Sequence, residues 1–249
     1  MVIVSATQKG GVGKTTAAAV LAQAAAHNGA RVLAIDIDPQ ANLSFALGAK
    51  ITRQGGNSYK LLTGEPATDQ IQTTEQEIDV IPANPALATI TSGKGTARRL
   101  QEAIKVIREQ YDIITIDTPP AAGELQYNAL QAADRLIIPL LADSYSLQGL
   151  YQITETARMI QKSNPNLQIA GIFLNQFAGT TTLEKQIFRE IINTGVGKMG
   201  LPYLGSIRNS NHIAQAASLQ ASLYKHAPRS AGAKDYMDMF TYITDYKFT

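Results

Sequence analysis

The 249-residue sequence contains no cysteine, which excludes a disulfide framework and a cysteine-ligated zinc site and fits a reducing, cytoplasmic setting. No apolar run approaches the ~20 residues that a membrane-spanning helix needs. Nor does a cationic segment precede the first apolar stretch, Met1-Val-Ile-Val-Ser-Ala-Thr7, so that stretch is expected to be a buried strand and not a signal peptide. Charge of one sign is scarce as well: 22 Lys/Arg stand against 20 Asp/Glu, a formal net charge of +2. The small excess is unevenly placed. Residues 1–150 carry 12 basic against 14 acidic side chains, residues 151–249 carry 10 against 6, and seven basic residues face two acidic ones within 180–234. Such a bias suits either a solvated surface or a polyanion site.

What is present is globular: 45% hydrophobic and 17% charged residues, in a length that one α/β domain can fill with a sizeable core. No internal repeat, low-complexity tract or linker interrupts it, so a single domain over residues 1–249 is expected. Short runs rich in Ile, Leu and Val recur at residues 2–7, 31–35, 79–81, 113–116, 136–139 and 169–174, with a weaker one at 203–206. They lack polar alternation, as strands buried on both faces do. Helical patterns lie between them, at 15–27, 94–109, 147–161, 182–194 and 233–246, with Ser92 and Ser230 as candidate N-caps and Asn28-Gly29 as a helix stop. Residues 49–76 are expected to form a loop. The alternation predicts an α/β fold: a doubly wound, mostly parallel sheet flanked by helices.

After the first strand comes Gln8-Lys-Gly-Gly-Val-Gly-Lys-Thr-Thr16, then a helix. Strand, glycine loop and helix are what a phosphate cradle requires. Gly10, Gly11 and Gly13, with Val12 between them, let successive backbone N–H groups turn inward, and the helix N-terminus adds partial positive charge. Lys14 would reach the β- and γ-phosphates, Thr15 offers a hydroxyl to Mg²⁺, and Thr16 can donate to the α-phosphate. The usual G-x-x-x-x-G-K-[ST] pattern has glycine where this chain has Gln8, and the chain instead carries a second lysine, Lys9. A dinucleotide site is disfavoured, since the third glycine of that fingerprint is missing and a lysine intrudes.

Two later strands end in carboxylates: Ile35-Asp36-Ile-Asp38-Pro-Gln-Ala-Asn42 and Ile116-Asp117-Thr-Pro-Pro120. Acidic residues at the C-terminal tips of parallel strands point into the crevice where open α/β folds bind ligands. Asp117, after Ile113-Ile-Thr-Ile116, has the form of a carboxylate that holds Mg²⁺ of a nucleotide, and Asp36 is a candidate for the same metal shell or for tying its segment to the phosphate loop. Asp38 is also suited to an Asx-type turn, which is compatible with a catalytic role.

Lys9–Thr16, Asp36–Asn42 and Asp117–Pro120 together resemble the ParA/MinD family of deviant P-loop ATPases. Weaker matches in the same order cover essentially the whole chain: residues 118–124, 132–139, 146–150, 173–175, 205–209 and 228–234. The resemblance implies a P-loop fold that hydrolyses ATP with Mg²⁺. It makes Lys9 the signature lysine that crosses to a partner subunit's phosphates, and Asp38 the residue that positions the attacking water. Asn175 then reads the base, with Ile207 and Arg208 in a late loop beside the nucleotide. It further implies an ATP-dependent homodimer of the short form, without an N-terminal extension. Such a dimer binds DNA without sequence preference on the nucleoid and is stimulated by a ParB-like or adaptor protein as it moves plasmid, chromosome or protein cargo. The cationic region makes Arg208, Lys225 and Arg229 the candidate DNA contacts. Two alternatives accompany this reading. One is a MinD-like membrane-associated ATPase, disfavoured because residues 235–249 lack a basic amphipathic face. The other is a metabolic P-loop ligase or kinase, for which the sequence offers no acceptor-binding constellation.

Overall fold

The computed structural model describes residues 1–52, 55–91 and 96–245. Ser92, the start of the helix predicted from residue 94, and Tyr246 at the end of the last predicted helix lie outside them. The strands are β1 (Val2–Ser5), β2 (Val32–Asp36), β3 (Gln72–Thr73), β4 (Asp79–Ile81), β5 (Ile113–Asp117), β6 (Arg135–Leu140), β7 (Gln168–Leu174) and β8 (Tyr203–Ser206). They form one sheet in the order β3-β4-β2-β5-β1-β6-β7-β8, parallel throughout except for the antiparallel edge pair β3–β4. All seven predicted strands are present, most shifted by a residue or two at their ends. Only β3 falls outside the prediction: two residues have no period to detect, and they lie inside the segment expected to be a loop.

The helices are α1 (Lys14–His27), α2 (Asn42–Ala46), α3 (Ser58–Leu62), α4 (Arg99–Lys105), α5 (Glu124–Ala132), α6 (Ser146–Gln161), α7 (Thr182–Ile191), α8 (Asn211–Ser218), α9 (Leu223–His226) and α10 (Ala231–Thr244). Two hydrophobic layers sandwich the sheet. Ile3, Ala34, Ile137 and Phe173 face α1, α2 and α8–α10, whereas Val4, Ile35, Ile116 and Ile138 face α3–α7. Successive strand residues therefore serve opposite cores, which is why these strands show no polar alternation. Among the described residues no helix is long and apolar enough to cross a membrane.

α1 lies between the sheet and α10 and is buried along most of its length. Alanine suits that position: it has the highest helix propensity and lets both neighbours approach closely. The helix stops at Asn28-Gly29, as predicted, with Gly29 at φ +80°. The helix predicted over 94–109 is shorter: α4 is flanked by 3₁₀ turns Thr96–Arg98 and Arg108–Gln110. The one predicted over 182–194 ends at Ile191 and continues as a π-helical turn, Ile192–Lys198, whose two glycines weaken the α-helix. Ser230 caps α10 as expected, its side chain accepting from Ala233 N–H at 3.3 Å. Residues 49–76 are not all loop, since α3 starts within them from Asn57, which accepts from Lys60 N–H.

Candidate nucleotide site

Register brings the acidic strand tips together. Asp117 of β5 pairs in the ladder with Asp36 of β2 on one side and Ser5 of β1 on the other. The loop after β1 rises beside them and enters α1 through Gly13, whose φ of +93° belongs to the left-handed region. A β-carbon there would also collide with the Asn175 side chain. Among the described residues, none accepts a hydrogen bond from the backbone N–H groups of residues 10–16. These donors, at a helix N-terminus, make the electropositive rim that a polyphosphate requires.

Lys14 is nearly buried, and its ammonium donates to the Lys9 carbonyl at 2.7 Å. Burial lowers its pKa, while the charges of Asp117 and Asp38 oppose that shift. Thr15 Oγ1 donates to Asp117 Oδ2 at 2.6 Å. Burial drives the wholly enclosed Asp117 carboxyl well above the usual carboxylate range, and the adjacent Asp36 charge adds to this. Asp36 is pushed up to about 6 by burial, against the hydrogen bonds it accepts from Ser44 and from Asp38 N–H. A hydroxyl and a carboxylate in contact, with a second carboxylate behind, is an oxygen set suited to Mg²⁺. Burial is the main cause of both shifts, and a cation there would offset the cost of enclosing the two carboxylates together with the lesser repulsion from their acidic neighbours.

Asp38 forms the expected Asx turn: its Oδ1 accepts from Gln40 N–H at 3.0 Å. Asp36, expected in the metal shell, has both carboxylate oxygens occupied within the protein. Oδ1 accepts from Asp38 N–H, and Oδ2 accepts from Ser44 N–H and Oγ–H. It organises the loop from behind Asp117.

Asn175 Nδ2 donates to the Val12 carbonyl at 2.9 Å, tying β7 to the phosphate loop. Next to it is a cavity of about 190 Å³ lined by Thr16, Asn175, Arg208, Asn209 and Ile213, among others. Ile207, expected beside the nucleotide, instead turns its side chain into the core, and its backbone is spent on Leu174 and Phe177. The neighbouring Arg208 and Asn209 line the cavity.

Lys9 is held within its own chain. Its ammonium forms an ion pair with Asp143, on the loop between β6 and α6, and lies 5.9 Å from the centroid of the Tyr145 ring. Burial pushes the Asp143 carboxyl up, but hydrogen bonds from Lys9, Tyr145 N–H and Ser146 together outweigh it and hold it below the usual aspartate range. α6 passes beside this loop: a β-carbon at Gly149 would be in ordinary contact with Thr7 Oγ1 at 3.4 Å and Lys9 Cβ at 3.9 Å. Asp143 and Ser44 escaped the sequence reading. Each is one polar residue beside a helix start, a pattern shared with ordinary caps.

Of the three cations singled out from sequence, two are neutralised. Arg208 forms a bidentate pair with Asp235, at 2.7 and 3.0 Å, and Lys225 pairs with Glu77 at 3.2 Å. Arg229 is exposed and makes no ion pair with a described residue, as is also true of Lys185, Arg189, Lys198 and Lys234. The five are spread over α7, the π-helical turn, the segment before α10 and the first turn of α10.

A family model described as an AAA domain matches residues 1–169. The chain is 35% identical over 245 residues to the sporulation initiation inhibitor protein Soj of Bacillus subtilis, covering 96% of each chain. It is 35% identical over 238 residues to the chromosome-partitioning ATPase Soj of Thermus thermophilus, covering 94% of this chain and 91% of that one. Among solved structures it is similar to cobyrinic acid a,c-diamide synthase from Mycobacterium smegmatis with a bound ATP analogue and magnesium. The TM-score is 0.80 at 28% identity, covering 95% of this chain and 91% of that one.

Proposed function

The chain belongs to the ParA/MinD family of P-loop ATPases, and from that premise we propose that it is an ATP-switched dimer that positions cargo on DNA. It is an ATPase of the partitioning and positioning class, with ATP and Mg²⁺ as its cofactors. The residue roles follow from the chemistry at the strand tips. The N–H groups of residues 10–16 and the Lys14 ammonium receive the phosphates, while Thr15 and Asp117 hold Mg²⁺, which offsets charge on the phosphate oxygens. Asp38 orients the attacking water, and the Asn175 cavity receives the base. Lys9 leaves Asp143 and reaches the phosphates bound by a second copy of the chain. The ATP-bound dimer then doubles a weakly cationic surface, so DNA is bound without sequence preference, and a ParB-like partner stimulates hydrolysis.

The observation that carries this reading is the Thr15–Asp117 hydrogen bond beneath the N–H-lined loop, with Asp38 in the next strand-tip segment. Phosphoryl transfer demands little beyond positioning and charge compensation, and these groups supply both. Asp38→Ala tests it. This variant should bind ATP in calorimetry and accumulate as a dimer in light scattering. Its hydrolysis should fall by a factor of ~10² or more, about 2.7 kcal/mol of transition-state stabilisation. Unchanged turnover would remove Asp38 from the mechanism.

The diamide-synthase likeness favours a second reading, an ATP-dependent ligase acting on a small molecule. The two part on one measurement: a partition ATPase turns over ATP without an acceptor and responds to DNA, whereas a ligase needs its acceptor. The membrane alternative has less support, because the apolar side of α10 packs into the domain through Tyr236, Met239, Phe240 and Ile243.

A further inference from the structure

We propose that Ser44 is a positioning residue for ATP hydrolysis, acting through Asp36 on Asp38; this rests on the reading of Asp38 as the group that orients water. Ser44 lies in α2, the short helix after the Asp38 turn, and is wholly buried. Its hydroxyl is committed in both directions. Ala83 N–H can only donate, and it donates to Ser44 Oγ at 2.9 Å. The serine proton therefore goes to Asp36 Oδ2, at 2.7 Å, alongside the Ser44 N–H at 2.8 Å.

Asp36 passes this constraint on. Its Oδ1 accepts from Asp38 N–H at 3.1 Å, and its carbonyl accepts from Ser58 Oγ at 2.6 Å. A chain of hydrogen bonds thus runs from the loop after β4, through Ser44 and the Asp36 carboxylate, to the backbone of Asp38. The Asp38 side chain has one oxygen engaged by Gln40 N–H, and no described residue donates to its second oxygen. That oxygen is the one available to a water, and its location is set by the Asp38 backbone. Asp36 is fully buried at the tip of β2, so a change in its side-chain rotamer would withdraw the acceptor from Asp38 N–H. Ser44 supplies two of the three hydrogen bonds that fix that rotamer, and the hydroxyl supplies one of them. A shift of ~1 Å in a positioned group can cost ~10²-fold in rate.

Steady-state hydrolysis and ATP calorimetry on Ser44→Ala, Asp38→Ala and the double variant test the idea. Ser44→Ala should lower kcat by about tenfold or more while leaving ATP affinity within about twofold, the signature of an effect confined to the transition state. In the Asp38→Ala background the serine change should have no further effect on single-turnover rate, because residues acting through one group are not additive. Ser44→Cys keeps the shape of the side chain with a somewhat larger atom and weakens both hydrogen bonds. It should fall between wild type and Ser44→Ala, and it supplies the same readout if the alanine variant does not fold. Wild-type kcat in both serine variants overturns the inference, as does a parallel loss of ATP affinity or an additive loss in the double variant. Normal hydrolysis by Asp38→Ala alone overturns the reading beneath it. A slow Ser44→Ala in that case shows that the serine acts by another route.

Discussion

Lys14 is a buried ammonium whose charge is supported by Asp117 and Asp38 and whose hydrogen bond goes to the Lys9 carbonyl. Because that partner is neutral, Lys14 is readily drawn to a phosphate, where its bond becomes charge-assisted on both sides. Lys14→Ala should weaken ATP binding by roughly tenfold to a hundredfold, taking about 1.5–3 kcal/mol for a hydrogen bond to a charged group. Wild-type affinity in calorimetry would move the phosphate site elsewhere. Lys9 differs in kind, since its ion pair with Asp143 is only partly shielded, at 23% and 35% side-chain exposure. Such pairs contribute about 0–1 kcal/mol. Asp143→Ala should therefore release Lys9 and tighten ATP-dependent dimerisation by no more than about fivefold, within that same energy. Sedimentation at several protein concentrations with ATP measures the shift. Weakened dimerisation would instead make Asp143 part of the contact between copies.

At the scale of elements, the site depends on where strands end and helices begin. The β2, β5 and β1 ladder puts Asp36, Asp117 and Ser5 in one row, and the phosphate loop closes over them through α1. α10 braces α1 from behind, with Phe240 and Tyr236 fully buried against that layer. Phe240→Ala should cost about 3–5 kcal/mol, the usual result of emptying an aromatic core position. Urea denaturation gives that value directly. A loss near zero would mean that α10 is loosely docked and free to act as an amphipathic surface helix, which would strengthen the membrane alternative. The helices that went unpredicted are α2, α3, α5, α8 and α9. Three of these have five residues or fewer, too few for a 3.6-residue period to register, and they are held by tertiary contacts such as Ser44–Asp36 and Gln76 Nε2–Ala46 O.

For the molecule as a whole, the charge distribution decides what a dimer could hold. Arg208 and Lys225 spend their charge on Asp235 and Glu77, whereas Lys185, Arg189, Lys198, Arg229 and Lys234 have no such partner among the described residues. One copy offers little, but two linked copies make the second contact effectively intramolecular. Binding to random-sequence duplex should therefore require ATP and weaken steeply with salt. If roughly four to six phosphates are neutralised, the log–log slope is about −4 to −5. Charge reversal at Arg189 or Arg229 should cut this binding more than reversal at Lys225, with ATP-driven dimerisation intact. Filter binding with the Asp38→Ala dimer decides the matter, and no retention at low salt would refute the DNA reading.

The local sequence determined the phosphate loop, the acidic strand tips and the doubly wound sheet. Each depends on contiguous residues: glycines that permit a tight loop, a lysine and threonine at a helix start, and apolar runs long enough to be strands. The Asx turn at Asp38 and the caps at Asn28-Gly29 and Ser230 were legible for the same reason. Tertiary structure decided which charges are free and what each one touches. The Lys9–Asp143 and Arg208–Asp235 pairs join residues 134 and 27 positions apart, and the Ser44–Ala83 bond joins residues 39 apart. No periodicity encodes such pairings. They depend on sheet order and on which helix lies across which strand tip, and side-chain charges and hydroxyls act over a few ångströms of space however far apart they lie along the chain.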